Sequence, residues 1–362
     1  MTIHRHDNQA LIDLKLAKNF NGVGQKNFLI NGEMMICQRG NCANVDGSYV
    51  IDRWCVLKDG DTTCNCSHLD SGQADTGNGS YRSYASLGIG TGPITKKFGL
   101  LQIIESKRIQ GWQTIPVNTP LSLSFKAWNK YATIPYIRAA VLVWSGTADA
   151  PTRDVVNAWN AMNSNPTLVT DWYYAHTPVR FDLTSGVNFK IENILIPADH
   201  ACNNIAVFIW TDTDVTDNFD ALYVTNVQLE ESTIATGIEQ REFGAELALC
   251  QRYFESSFRY RVEAVVANVT ASDGVVMVAT PNGASSFGTS YLWRVSKRTS
   301  AYTLRFLNAA GEGEWYWYTV AGASVSSAPT VNNKLQSGFC AYLNGDNTRT
   351  FASGSITCED EL

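Results

Sequence analysis

The chain has 362 residues, a formal net charge of −6 and only 17% charged residues, beside 44% hydrophobic and 11% aromatic ones. The negative balance and the lack of a Lys/Arg run argue against a nucleic-acid binder, and no run of 18 apolar residues exists to span a membrane as a helix. Nine scattered cysteines, an odd number without a C-x2-C pair, make a poor disulfide framework.

Residues 1–26 read as an N-terminal arm, too short to fold alone and suited to docking. They lack the apolar core of a secretory signal, so a protein made and kept in the cytosol until assembly or lysis is expected. His4 and His6 would converge on the axis of a three-fold assembly and could bind a metal there; a solvated tail is the simpler reading.

Residues 27–232 carry many short apolar runs with Gly and Asn turns between them, the pattern of a β-sandwich or barrel. Leu121, Leu123, Phe125 and Ala127 alternate with Ser122, Ser124, Lys126 and Trp128. Ile137, Ala139, Val141 and Val143 alternate in the same way with Arg138, Ala140, Leu142 and Trp144. Each run gives one buried and one more polar face. Cys64 and Cys66 would share a strand face and, with His68, supply three of four zinc ligands; small buried hydrophobes are the simpler reading. Between the strands, Val155, Val156, Trp159 and Met162 fall at helical spacing and predict a helical insertion over residues 150–166.

Alternation at residues 223–229 marks the closing strand of this unit. Residues 233–256 form a linker with a short helix. Phe243, Leu247, Cys250 and Phe254 share one face of it, which is expected to pack against identical copies. Residues 257–362 return to β-rich sequence, with strands expected at 260–269, 275–280, 291–295, 302–307, 315–320 and 339–343. The fold class is therefore all-β: an N-terminal jelly-roll sandwich, a connecting helix and a small C-terminal β-sandwich.

Catalytic signatures are absent from the sequence: no G-x-S-x-G, no H-E-x-x-H and no phosphate-binding glycine loop. The expectation is a non-enzyme. Saccharide binding calls for aromatic platforms beside hydrogen-bonding groups. Trp128 and Trp144, on the less apolar faces of their strands, are the candidates in the first unit; Trp293, Trp315 and Trp317 are those in the second.

Two stretches, NFLINGEMMICQRG at 27–40 with YVIDRW at 49–54, and VQLEE at 227–231 with GAELALCQRYFE at 244–255, resemble the opening and closing of a domain found in bacteriophage tail fibres and related virion proteins. The resemblance covers the ends of about 205 residues; 1–26 and 257–362 carry none. It implies a jelly roll like those of carbohydrate-binding modules. Where the first and last strands of such modules meet, a structural calcium is often held, and Glu33 and Asp220 lie at about those places, two of the six or more oxygens Ca2+ takes; no other cofactor is expected. It further implies a virion protein, a tail fibre or similar appendage, that assembles as a homotrimer. Such a protein contacts other virion proteins through residues 1–26 and a host-surface glycan through its distal domain. A capsid-bound head fibre or decoration protein is the alternative, and a polysaccharide depolymerase a further one.

Overall fold

The alternating run at 121–128 lies in the strand Pro120–Asn129, with Leu121, Leu123, Phe125 and Ala127 all buried in the core. Two other runs, FGLLQII at Phe98–Ile104 and NIAVFIWT at Asn204–Thr211, are buried along their whole length. A strand apolar on both faces has to be covered on both faces, so one sheet must lie between two layers. The computed structural model describes residues 26–40, 45–60, 64–70, 83–89, 97–106, 118–130, 134–212, 221–258, 275–279, 286–307, 315–319, 324–327, 329–344 and 349–362.

In chain order the first unit contains β1 (Ser48–Ile51), β2 (Trp54–Lys58), β3 (Cys64–Asp70), β4 (Ser83–Ile89), β5 (Phe98–Ile104), β6 (Pro120–Asn129) and β7 (Tyr136–Trp144). It continues with β8 (Val156–Ala158), β9 (Thr167–Leu168), β10 (Trp172–Tyr174), β11 (Val179–Asp182), β12 (Asn188–Leu195), β13 (Asn204–Thr211) and β14 (Ala221–Glu231). A seven-stranded antiparallel sheet runs β1-β2-β5-β13-β7-β10, with β11 also on β7. A five-stranded sheet runs β12-β6-β14-β4-β3. Their inner faces share one core that includes Leu100, Val141, Ile209, Leu123, Leu222 and Leu229. This is the jelly-roll-like sandwich the alternation predicts.

The outer face of the seven-stranded sheet is covered by the insertion expected to be helical. It forms instead the β8–β9 hairpin and its flanks, which bury Val155, Val156 and Trp172 against Leu142, Phe208 and Trp210. Its apolar residues meet a flat sheet rather than a groove between helices. Local capping also favours the extended form: Asp154 Oδ1 accepts the Val156 N–H at 3.1 Å, and Thr152 O accepts Trp172 Nε1–H at 2.8 Å. Leu362, at the far end of the chain, belongs to the same covering layer.

Strands β10 and β11 both pair with β7 but leave Val141 between them. His176 fills this gap: its Nε2 accepts the Val141 N–H at 3.1 Å while Nδ1 faces Thr177 O at 2.8 Å. These partners require the neutral ring protonated at Nδ1. Burial lowers the His176 pKa below its usual 6.5. A folded pKa below the unfolded one means the contribution is complete above about pH 6.5 and is lost as pH falls from there through the lower folded pKa. Asp52 acts in the opposite sense, since burial pushes its carboxyl up to about 6. The expected result is that His176→Gln, which keeps an acceptor but no titrating ring, loses less stability than the native chain between pH 7 and pH 5. Urea denaturation at both pH values reads the difference.

After β14 the chain runs through an extended linker into helix α1 (Phe243–Gln251). The C-terminal unit contains β15 (Phe254–Ser256), β16 (Val275–Ala279), β17 (Ser286–Leu292), β18 (Thr303–Leu307), β19 (Trp315–Thr319), β20 (Ser324–Ser327), β21 (Thr330–Leu335), β22 (Gly338–Asn344) and β23 (Arg349–Glu359). These nine strands are one continuous hydrogen-bonded sheet. The reason is the length of β23: its first half pairs with β16 and β19, its second half with β15 and β18. The strand expected at 260–269 lies outside the described residues.

Part of the helix packs within its own chain. Cys250 is buried with Ile30, Ile36 and Tyr253, and Leu247 packs on the same cluster. Phe254 is not helical; it opens β15, and its ring lies 3.8 Å beneath the Arg39 guanidinium. Of the four residues expected at an oligomer interface, only Phe243 is well exposed, at 47%. The buried side of α1 holds Glu246 and Cys250, with Leu247 and Leu249 half-buried, and it packs on Ile30 and Ile36 of its own chain.

Candidate functional site

The two stretches that carry the family resemblance meet in space, 200 residues apart in sequence. Asn27 Nδ2 donates to Val227 O at 2.9 Å, and Asn27 Oδ1 accepts the Leu229 N–H at 3.0 Å. Glu246, in the first turn of α1, accepts the Asn31 N–H and pairs with Arg241 at 3.2 Å. Arg241 in turn donates to Leu29 O and Asn27 O. From the core side, Gln102 satisfies both backbone groups of Ile30 at 2.8 Å, as a neighbouring strand would. Gly32 is obligatory here, since a Cβ would stand 2.1 Å from Val227 O. These polar residues are the internal fastening of a structural junction.

The same junction binds the C-terminal unit. Gln38 Nε2 donates to Phe254 O at 3.0 Å, and the guanidinium of Arg53 stacks 3.7 Å from the Tyr253 ring. Arg39 and Arg53 both pair with Glu361, and Tyr49 Oη donates to Leu362 O at 3.0 Å. Arg252 pairs with Glu105 at 2.8 Å, and Tyr253 Oη donates to the same carboxylate. The Cys55, Cys250 and Cys358 thiols are pushed up by burial, away from the thiolate a nucleophile requires.

The sequence-predicted platforms fare differently. Trp128 does lie on the outer face of the five-stranded sheet, but it is 7% exposed, closed in with Tyr84 and Tyr223 at ring separations of 5.2–5.4 Å. Trp144 likewise lies on the outer face of its sheet and is covered. Its ring sits 5.3 Å from Trp172, its Nε1–H donates to Thr147 O, and Gly146 passes against its face. Trp293 is buried among Tyr291, Tyr302 and Phe339, with Lys297 Nζ 4.8 Å from the ring. None of the three offers a face to a sugar. Trp315 and Trp317 lie in β19, and their side chains fall outside the description.

Of the metal candidates, Cys66 belongs to the sandwich core and is turned away from any surface site. His4, His6 and Asp220 lie outside the described residues. Among the described residues no three His, Cys, Asp or Glu side chains gather as metal ligands.

What the structure does present is a groove of about 470 Å3 on the outer face of the five-stranded sheet. Its floor is Ser124 and Lys126 from β6; one wall is Asn188 and Lys190 from the edge strand β12. The other wall is Asn226 with linker residues Ala235, Thr236, Gly237 and Ile238. A bulge in β14 between Thr225 and Gln228 places Asn226 there with φ +52°. Asparagine tolerates that left-handed backbone, and bulges re-aim side chains. The linker is fixed as a wall: Glu230 accepts Thr236 N–H at 2.7 Å, Gln228 accepts Glu239 N–H at 2.7 Å, and Glu192 accepts Ala235 N–H at 3.0 Å. Hydrogen bonds from Lys190 and from Ala235 hold the Glu192 carboxyl below its usual range. The groove thus gathers amide, hydroxyl and amine groups on a rigid sheet. Sequence reasoning missed it because its floor and walls come from four separate segments; the one local signal is Asn226, at the bulge of β14, which with β12 flanks the floor strand β6.

No protein-family model and no curated protein matches the chain. Solved structures that it is similar to include the carbohydrate-binding module TmCBM61 in complex with β-1,4-galactotriose, at 12% identity, 57% of this chain, 100% of that one and a TM-score of 0.30. A sugar-binding protein from Bacteroides thetaiotaomicron matches at 12% identity, 57% and 100% coverage and a TM-score of 0.29. The tandem CBM22 modules of Paenibacillus barcinonensis Xyn10C match at 9% identity, 90% and 91% coverage and a TM-score of 0.25. At these TM-scores the likenesses establish nothing about this chain beyond what its own strands show.

Proposed function

We propose that the chain is a non-catalytic glycan-binding protein of a tailed-bacteriophage particle, a tail fibre or similar appendage, that holds a host-surface saccharide in the groove of its five-stranded sheet. The observation that carries the binding role is the groove itself. Asn188, Lys190, Asn226, Ser124 and Thr236 supply donors and acceptors suited to sugar hydroxyls, on strands whose other face is the sandwich core. The virion role rests on the resemblance of residues 27–54 and 227–255 alone. So does the homotrimer, since Leu247 and Cys250 of α1 pack within their own chain.

Asn188 and Lys190 are exposed edge-strand residues, so both can be truncated without touching the core. A neutral oligosaccharide that binds the native chain is expected to bind Asn188→Ala/Lys190→Ala about 10- to 30-fold more weakly, two polar contacts at about 1 kcal/mol each. Isothermal titration measures this, and a reducing-end assay on the same mixtures is expected to stay flat. Undiminished affinity in the double variant would remove the groove from the account; release of reducing ends would remove the non-catalytic reading.

A further inference from the structure

On the opposite sheet, far from the groove in fold position, two arginines are placed directly across from each other. Arg138 of β7 and Arg180 of β11 are register partners. Like charges opposed across strands are destabilising, and here one carboxylate serves both. Asp212, fully buried, accepts from Arg138 Nε at 2.8 Å through one oxygen and from Arg180 Nε at 2.7 Å through the other. Arg138 Nη1 also donates to Asn165 Oδ1 at 3.0 Å, and the Arg180 guanidinium lies 3.5 Å from the Tyr136 ring centroid.

Arginine ordinarily meets a carboxylate with two parallel N–H bonds. Neither arginine does so here, because each spends only its Nε on Asp212. Both Nη groups of Arg180, and Nη2 of Arg138, are left without a protein partner among the described residues, and the Arg180 side chain is 35% exposed. Among the described residues Asp182, the half-buried carboxylate two residues on in β11, accepts hydrogen bonds only from Thr184 of its own turn, and its charge acts on Arg180 without an ion pair. Two guanidinium groups are thus ion-paired to a single carboxylate, Asp212, on a chain whose net charge is −6. The cluster is also pre-organised. Asp212 and the Tyr136 ring hold the forks in place before anything binds.

We infer that Arg138 and Arg180 form a binding site for an anionic group, a carboxylate, sulfate or phosphate, carried on a saccharide. This site is separate from the groove; that its anion is carried on a saccharide rests on the glycan-binding reading above. The two guanidinium forks take the oxyanion, and Asp212 and Tyr136 position them.

Titration calorimetry on the full chain tests it with three probes: an oligogalacturonate, a neutral galacto-oligosaccharide and inorganic phosphate. The oligogalacturonate is expected to bind, with affinity falling as salt rises, and to lose at least about tenfold in Arg180→Gln. Arg180→Lys, which keeps the charge and loses the fork, is expected to fall between the two. The groove variant Asn188→Ala/Lys190→Ala is expected to keep its oligogalacturonate affinity, so failure here and failure of the groove are told apart. Equal affinity of native and Arg180→Gln chains, or no binding of either anion, overturns the site. Phosphate bound as tightly as the oligogalacturonate overturns the saccharide as its source.

Discussion

Replacing Glu255 by alanine is expected to cost about 3–5 kcal/mol of folding stability. Glu255 Oε2 meets Lys297 Nζ at 2.7 Å, and both side chains are wholly buried. Lys297 also donates to Gln251 O, the last residue of α1, and stands over the Trp293 ring. Burial lowers the Lys297 pKa against the opposing pull of Glu255, so the ammonium depends on that carboxylate. Removing Glu255 leaves either a buried uncompensated charge or a lysine that must give up its proton. The double replacement Glu255→Leu/Lys297→Met removes both charges together and is expected to recover most of the loss. Urea denaturation of the three chains decides it; a single-variant loss under about 1 kcal/mol contradicts the prediction.

Glu361→Ala is expected to cost a similar amount, about 3–5 kcal/mol, and to loosen the end of the chain from the sandwich. Glu361 is shared by Arg39, at 3.0 Å, and Arg53. Burial, the largest influence on Arg53, would lower its pKa; Glu361, Tyr253 and Tyr49 together more than offset it, so the guanidinium stays charged. Arginine cannot shed its proton at accessible pH, so without Glu361 the charge of Arg53 remains, buried, with Ile103 O at 2.6 Å and the Tyr253 face as its nearest help. The expected readouts are a lower denaturation midpoint and faster proteolytic trimming of residues 359–362. An unchanged midpoint would mean that the C-terminal tail is not part of the junction.

The sandwich was legible because its strands alternate: the inward set Leu121, Leu123, Phe125 and Ala127 is the set found in the core. Alternation also placed Trp128 and Trp144 correctly on outer faces, yet it cannot say what lies over an outer face. Trp144 is closed by a hairpin more than ten residues away, and Trp128 by tyrosines from two other strands. The short helix at 243–251 was legible from its spacing, but not which side it buries: Glu246 and Gln251 are buried with Cys250 while Phe243 is exposed. The residues that pack on that side, Ile30 and Ile36, lie over 200 positions earlier. At 150–166 helical spacing misled, since Val155, Val156 and Trp159 bury equally well as an extended layer on a flat sheet. The motif residues Asn27, Asn31, Arg39 and Arg53 read as a signature of kinship, and geometry alone shows that they are spent on the junction.

Hydrogen–deuterium exchange with and without a bound neutral oligosaccharide tests the division between junction and groove most directly. Added protection is expected in β6, in β12 and at residues 235–238, with residues 27–54 and 244–255 unchanged. Protection confined to those two motif stretches, with none along the groove, would contradict it.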